Sequence, residues 1–337
     1  MATIYQVSEL AGVSLATVSR VMNNNARVSD KTKQKVLKAM AELDYRPNAI
    51  AQSLASNRSN SVGVLVSELH GPFFGMMMSG IDLELRNAGK HAIFTAGHSN
   101  ETDEQDAIEF LISRNCDALI LHVEALSNEY LIKLAQGNVP LVLINRYIDE
   151  IADQCFYLNN EDGGYLATKA VLEQGHRQIA YISGPLWKQD ARDRLKGHQK
   201  ALAEYHLNFA DTLCYEGAYI EQSGLDGVTE ILKQQQPFTA LVCANDEMAS
   251  GAIEMLREQH FTIPQDVSVV GFDNVNFSRY LFPKLTTINF PIGEMGVMAA
   301  HWVLRHIYRQ EQYQINHLFM PQLAWRDSVT TPKSNSR

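Results

Sequence analysis

The sequence predicts an α/β protein: a three-helix helix-turn-helix domain at the amino terminus, followed by a body of parallel sheet folded into two lobes. Three observations predict it. Two short amphipathic helices meet at a tight turn near Gly12, the charge changes sign near residue 60, and beyond that point apolar strand-like runs alternate with amphipathic helices in two successive series.

Thr3 and Gln6 form a T-x-x-Q capping box, Ile4, Val7 and Leu10 recur on one face of the helix that follows, and Gly12 ends it in the left-handed conformation. A second helix covers residues 14–22. Val18, Val21 and Met22 cluster on its inner side, while Ala16, Ser19 and Arg20 point outward with Leu15 and Thr17 at the margins, a face suited to a DNA major groove. A third helix after Asp30 turns Val36, Leu37, Met40 and Leu43 inward and sets Lys31, Lys33, Lys35 and Lys38 near its polar side. Together they close a small core over residues 1–45. The pattern alone also fits an ordinary helical hairpin; charge favours DNA. Of 29 Lys/Arg and 38 Asp/Glu in the chain, residues 1–60 hold eight and four, so a head of +4 precedes a remainder of −13. A chain of net charge −9 repels DNA unless its basic residues are segregated in this way.

Residues 46–59 join head and body. Pro47 stops the third helix, and the good helix formers after it are too few to be stable alone. The expectation is a hinge that is disordered in the free protein and becomes helical when two copies pack on DNA. Ala51 and Leu54 then share a face from which an apolar side chain wedges into a minor-groove base step. A flexible linker is the alternative.

Residues 60–337 read as alternating strands and helices. The first series is strand 61–67, helix 75–88, strand 91–96, helix 103–114 with a capping box at Thr102 and Gln105, strand 117–123, helix 128–136 and strand 140–145. The second is strand 155–158, helix 163–174, strand 178–183, helix 192–205, a short strand near Cys214, helix 222–234, strand 240–244, helix 248–259 and strand 268–272. Thr286–Phe290 is expected to cross back toward the first lobe, helix 295–310 to pack there, and 317–323 to end the fold.

Cys116, Cys155, Cys214 and Cys243 show no C-x-x-C spacing, which favours buried thiols in a reducing cytoplasm. No charged-then-apolar leader opens the chain and no apolar run approaches membrane-spanning length, so neither export nor a membrane partner is expected. Phosphate-loop, dinucleotide, metalloprotease and nucleophile-elbow motifs are missing, and the 11 His are scattered, so no enzyme, cofactor or metal is expected.

In open α/β sheets a ligand sits beyond the carboxyl ends of the strands. The residues there are Phe73, Phe74, His122, Asn145, Arg146, the segment from Trp187 through Asp190 to Arg194, Asn245, Asp246, Phe272 and Asp273. Planar amides, carboxylates, an Arg and aromatic rings suit a sugar, with paired donors and acceptors for adjacent hydroxyls and a flat ring for the C–H face. Each has a structural alternative. Asp190 and Arg194 fit a surface i,i+4 pair, Asp246 a helix cap, His122 a core or rim histidine, Trp187 packing or a lid, and Phe73 and Phe74 core.

The run from Thr3 to Asn24, with Tyr45-Arg46-Pro47-Asn48 and Ala51-x-x-Leu54 behind it, resembles the LacI/GalR family of bacterial repressors, and the likeness extends over nearly the whole chain. The resemblance implies that Leu15, Ala16 and Arg20 choose operator bases and that Leu54 is the minor-groove lever. The residues expected at DNA are Thr3, Ser14, Leu15, Ala16, Thr17, Ser19, Arg20, Asn23, Asn48, Ala51 and Leu54. It further implies a bilobed, periplasmic-binding-protein-like body with a ligand cleft between the lobes. The D-A-x-D-R-L-x-G run at Asp190 is similar to the galactose-repressor branch and puts Arg194 where the family has its effector-binding arginine. Asn245-Asp246 and Asp273 match strand-end motifs of the family, and Phe290 falls at a pocket position. The implied protein is a cytoplasmic, dimeric repressor of palindromic operators controlled by a small sugar, galactose or a galactoside. A purine corepressor is the nearest variant and a sugar transport protein a more distant one. The polar, Pro-containing tail from Asp327 lacks a leucine heptad, so a dimer rather than a tetramer is expected.

Overall fold

The computed structural model describes residues 2–22, 28–46 and 58–333; Asn23, Asn48, Ala51 and Leu54, and with them residues 47–57 of the expected hinge, lie outside the described residues. The chain divides into two compact units, Met1–Asn60 and Ser61–Arg337.

The first unit contains α1 (Ile4–Ala11), α2 (Leu15–Met22) and α3 (Asp30–Glu42). The Thr3 amide donates to Gln6 Oε1 at 2.8 Å and the Gln6 amide donates to Thr3 Oγ1 at 3.4 Å, so the capping box is made in both directions. Gly12, at φ 64°, takes the left-handed turn that lets α2 start three residues later. The core is Val7, Ala11, Val18, Val21, Val36 and Ala39. Leu10 and Leu37, expected inside, are 47% and 48% exposed. The inward arcs centre on Val7 with Ala11 and on Val36 with Ala39, spacings that put Leu10 and Leu37 about 100° round the wheel from the contact.

In the second unit the chain runs β1 (Ser61–Val66), α4 (Pro72–Asn87), β2 (His91–Ala96), α5 (Glu101–Ser113), β3 (Ala118–Leu121), α6 (Asn128–Ala135), β4 (Leu141–Ile144) and β5 (Cys155–Leu158). It continues through α7 (Asn160–Glu173), β6 (Ile179–Ser183), α8 (Gln189–Glu204), β7 (Cys214–Glu216), α9 (Glu221–Lys233), β8 (Ala240–Cys243), α10 (Asp246–Glu258) and β9 (Ser268–Asp273). The last elements are β10 (Thr286–Asn289), α11 (Ile292–His306), β11 (Leu318–Phe319) and β12 (Gln322–Ala324). Two six-stranded sheets result, in the orders β11-β5-β4-β3-β1-β2 and β12-β10-β9-β8-β6-β7. All neighbours are parallel except β10 and β12. Both sheets reverse strand order at their first strand, β1 or β6, and such switch points open ligand crevices at the strands' carboxyl ends.

Several boundaries differ from expectation for local reasons. α4 begins at Pro72, whose missing N–H costs nothing in the first turn. α5 is capped by Asn100, which accepts the Thr102 and Asp103 amides, and not by Thr102. α7 begins at Asn160 behind the cap Asn159, and α8 at Gln189. β10 does not cross back: it pairs with β9, Thr286 opposite Val270 and Asn289 opposite Asp273. The crossing follows it, delivering α11 against α4 of the first lobe. Residues 317–323 are two strands, because Pro321 offers no ladder donor where the chain passes between sheets.

α7 and α8 cross at glycine. A Cβ on Gly197 would sit 1.9 Å from the Glu161 carbonyl oxygen, and one on Gly164 2.0 Å from that of Arg194. The backbones therefore touch, which fixes the height of α8 on its sheet. Gly197→Ala is expected to destabilise the body by about 3 kcal/mol, at the upper end of overpacking costs because backbone must move, and thermal unfolding of the variant checks it.

Candidate functional site

On the head, Leu15, Ala16 and Arg20 are exposed on one side of α2, Thr17 and Ser19 are partly exposed, and Val18 and Val21 are buried. Thr3 caps α1, and Ser14 caps α2 by accepting the Thr17 amide at 3.2 Å. Both hold the helices that present the outward residues.

In the body, loops at the strand ends enclose two adjoining cavities of about 240 Å³ and about 590 Å³. The smaller takes Phe73, Phe74 and His122 from the first lobe and Asp190, Arg194, Asn245 and Asp273 from the second. The larger adds Asn145 and Arg146, with Tyr147 and Tyr157, to His122 and Asp190. Asp246 and Phe290 line neither and are corrections. Asp246 is fully buried, its Oδ2 accepting the Val275 amide at 2.9 Å and its Oδ1 the Thr287 hydroxyl at 2.5 Å, so it ties α10 to β10. Phe290 packs edge-on against Phe73, ring centres 5.0 Å apart, and supports that ring from beneath.

Arg194 organises the second-lobe wall and, unlike a surface i,i+4 cation, is buried. Its Nε donates to Asn160 Oδ1 at 2.9 Å and its Nη1 to the Ala244 carbonyl at 2.6 Å. Asp190 and Asp273 oxygens lie 3.6 Å from Nη2 and Nη1, and the guanidinium stacks 3.8 Å over the Phe272 ring. Burial works against its charge, but Tyr219, Asp190 and Asp273 outweigh burial and raise its pKa.

Asp273 ends β9 at φ 106°, a backbone region that favours glycine. Its Oδ1 is buried and, with the Tyr219 hydroxyl, has no hydrogen-bond partner among the described residues. Burial pushes the Asp273 carboxyl well above the usual carboxylate range despite Arg194. Asn245 caps α10 through the Met248 amide and donates to the Tyr219 carbonyl, so it braces the wall it belongs to. His122, kept neutral by burial, meets Ser67 Oγ at 3.2 Å and Phe74 edge-on. Arg146 donates to Asn128 at 2.7 Å, and Trp187, 52% exposed, sits at the surface.

Ser67, Ser99, Glu124 and Tyr219 also line the smaller cavity and were not among the expected residues, whereas Lys188, which lines it too, falls within the expected segment from Trp187 to Arg194. Ser67 and Glu124 sit in the windows after β1 and β3 where such residues are sought; Tyr219 follows a strand of three residues whose pattern is too short to read. The thiols of Cys116, Cys155 and Cys214 are pushed up to about 11 by burial and are poor nucleophiles. Among the described residues no helix is long and apolar enough to cross a membrane.

A helix-turn-helix head and a two-lobed body with a polar, aromatic-walled cleft define a DNA-binding protein with a ligand-binding domain. Residues 3–48 match the family described as bacterial regulatory proteins, lacI family, and residues 168–329 match the periplasmic binding protein-like domain. The chain is 39% identical to the HTH-type transcriptional regulator GalR of Salmonella typhimurium, covering 98% of this chain and 97% of the relative. It is 32% identical to the ribose operon repressor of Haemophilus influenzae, covering 99% and 100%. The structure of the lac repressor dimer bound to operator and the anti-inducer ONPF superposes with a TM-score of 0.86 at 31% identity, over 98% of this chain and 99% of that one. The chain belongs to the LacI family. It is a DNA-binding transcriptional repressor with a ligand-binding domain, and not an enzyme.

Burial raises the Asp246 carboxyl to about 7, against the hydrogen bond from Thr287. The folded chain then holds this proton more tightly than the unfolded chain, so Asp246 stabilises fully below about pH 4 and that stability is lost as pH rises toward 7, by up to about 1.4 kcal/mol per pH unit. Buried His122, His176 and His198, all pushed down by burial, slope the other way. The difference in unfolding midpoint between wild type and Asp246→Asn isolates the carboxyl; wild type is expected to lose ground to the variant steadily from pH 4.5 to 7.

Proposed function

We propose that this repressor is controlled by a small sugar, galactose or a galactoside, bound in the smaller cavity. The observation that carries the proposal is the buried Asp273 oxygen, which lies 3.6 Å from Arg194 yet accepts no hydrogen bond among the described residues, beside the Tyr219 hydroxyl, which makes none either. A polar group buried in this way costs about 1–3 kcal/mol until something bonds it, and adjacent ligand hydroxyls supply both a donor and an acceptor. Phe73 and Phe74 offer the apolar wall that a pyranose C–H face needs. The full-length likeness to GalR supports a galactose-type ligand.

The body pairs with a second copy, and Tyr280 and Phe282, 82% and 83% exposed on one loop, give it apolar surface to bury. The dimer sets two α2 helices on a palindromic operator in the bacterial cytoplasm. Leu15, Ala16 and Arg20 read bases, Thr17 and Ser19 lie at the same DNA surface, and Arg20 has the chemistry for a forked bond to guanine. Ligand in the cleft changes the angle between lobes, and a coupling of about 1–3 kcal/mol between cleft and operator is the usual size of such control.

Arg20→Ala is expected to cost about 1–3 kcal/mol on the operator and far less on random DNA, measured by fluorescence anisotropy at fixed salt. Titration calorimetry with a panel of hexoses and purine bases tests the ligand; galactose should bind, and Asp273→Asn should weaken it at least tenfold by removing a carboxyl acceptor. A hydroxyl donating to Asp273 favours the ionised carboxylate, so sugar affinity should fall as pH drops through the raised pKa of that group. Indifference of operator binding to every hexose would overturn the sugar assignment.

A further inference from the structure

The two cavities of the cleft share one wall, and its residues are His122, Glu124, Lys188 and Asp190. At its centre the Lys188 ammonium, from the residue before α8 in the second lobe, lies 2.6 Å from Glu124 Oε2 in the loop after β3 of the first lobe. Both side chains are 13% exposed. The pair is braced: Lys188 donates to Ser99 Oγ at 3.2 Å and the Ser67 hydroxyl donates to Glu124 at 3.1 Å. The backbone beneath is braced too, since buried Glu104 accepts the amides of Glu124, Ala125 and Leu126.

We propose that the Lys188–Glu124 pair is a specificity partition, which confines the ligand to one sugar ring and keeps glycosides with a second ring out of the larger cavity. This rests on the sugar reading above. Drug-sized ligands occupy cavities of about 300–1,000 Å³, and the smaller cavity, at about 240 Å³, suits a single ring. The space for a second ring exists next door, where Tyr147 and Tyr157, ring centres 4.6 Å apart, supply an aromatic surface. Between the two stands a pair of charges held in place by the Ser67 and Ser99 hydroxyls. A ligand that parts them leaves two buried ions unpaired, which is strongly unfavourable. Discrimination by size follows from that penalty.

The test uses the full chain, with galactose, lactose and melibiose as probes in titration calorimetry. Wild type is expected to bind galactose at least tenfold more tightly than either disaccharide. Glu124→Ala with Lys188→Ala removes both charges together and should raise disaccharide affinity at least tenfold relative to galactose. Glu124→Gln with Lys188→Met keeps the bulk but removes both charges, and should lose most of the wild-type ratio because no buried ions are left to be parted; a ratio kept in full by this pair overturns the charge partition. The ratio is the informative readout, because loss of a merely structural bridge between lobes weakens all three sugars alike. Wild-type binding of a disaccharide as tightly as galactose overturns the partition whatever the variants do, and so does an unchanged ratio in the alanine pair. If no protein binds any of the three, the sugar reading itself fails and the partition falls with it.

Discussion

Everything in the body is arranged around a guanidinium taken out of water. Arg194 is 2% exposed, and an ion so placed persists only where every direction offers compensation. It finds an amide oxygen on α7, a backbone carbonyl after β8, carboxylates on its own helix and at the end of β9, and an aromatic face beneath. Four segments far apart in sequence must therefore reach one point, and α8 must sit at one height. The bare backbones of Gly164 and Gly197 make that height possible. Sheet, helix crossing and ligand wall are one constraint seen at three scales.

The first lobe answers with a different chemistry. Its wall brings Phe73, Phe74 and a neutral His122 to the cavity beside Arg194, and of its charged groups Glu124 is occupied by a cation that reaches over from the other lobe. The lobes are thus already in register before a ligand enters: Lys188 bridges them at one place and Asn145, which donates to Asp190 at 3.4 Å and accepts from Asn160 at 3.2 Å, bridges them at another. A change at the cleft is felt by both lobes because polar contacts, and not only the three chain crossings, join them.

The fold was largely legible because parallel strands buried on both faces read as continuous apolar runs, as in β3 and β4, and the helices between them carry their caps in sequence. What could not be read depends on partners distant along the chain. Nothing in Thr286–Asn289 says whether it joins one sheet or the other; its pairing with β9 decides that. Asp246 and Asp273 both stand at strand ends and look alike in sequence, yet one is consumed by Thr287 and Val275 while the other keeps an oxygen that is ion-paired to Arg194 but accepts no hydrogen bond. The Lys188–Glu124 pair spans 64 residues and has no local signature at all. On the head, the wheel located the exposed face of α2 but overfilled the core with Leu10 and Leu37, since packing three short helices closely calls for alanine where pattern suggests leucine.

The Asp273 oxygen that faces Arg194 without accepting a hydrogen bond explains why such a cleft discriminates. A buried carboxyl oxygen that meets a cation but no hydrogen bond, on a backbone held at φ 106°, is a site that the fold tolerates at a cost. A ligand presenting hydroxyls at that point recovers the lost hydrogen bonding, whereas an analogue of the same shape without them leaves the cost in place. Sites built to bond a hydroxyl therefore reject its absence far more strongly than apolar pockets reject an extra methylene. Polar discrimination at Asp273 and size discrimination at the Lys188 wall are separate in space and in cause, so the cleft selects by chemistry at one end and by length at the other.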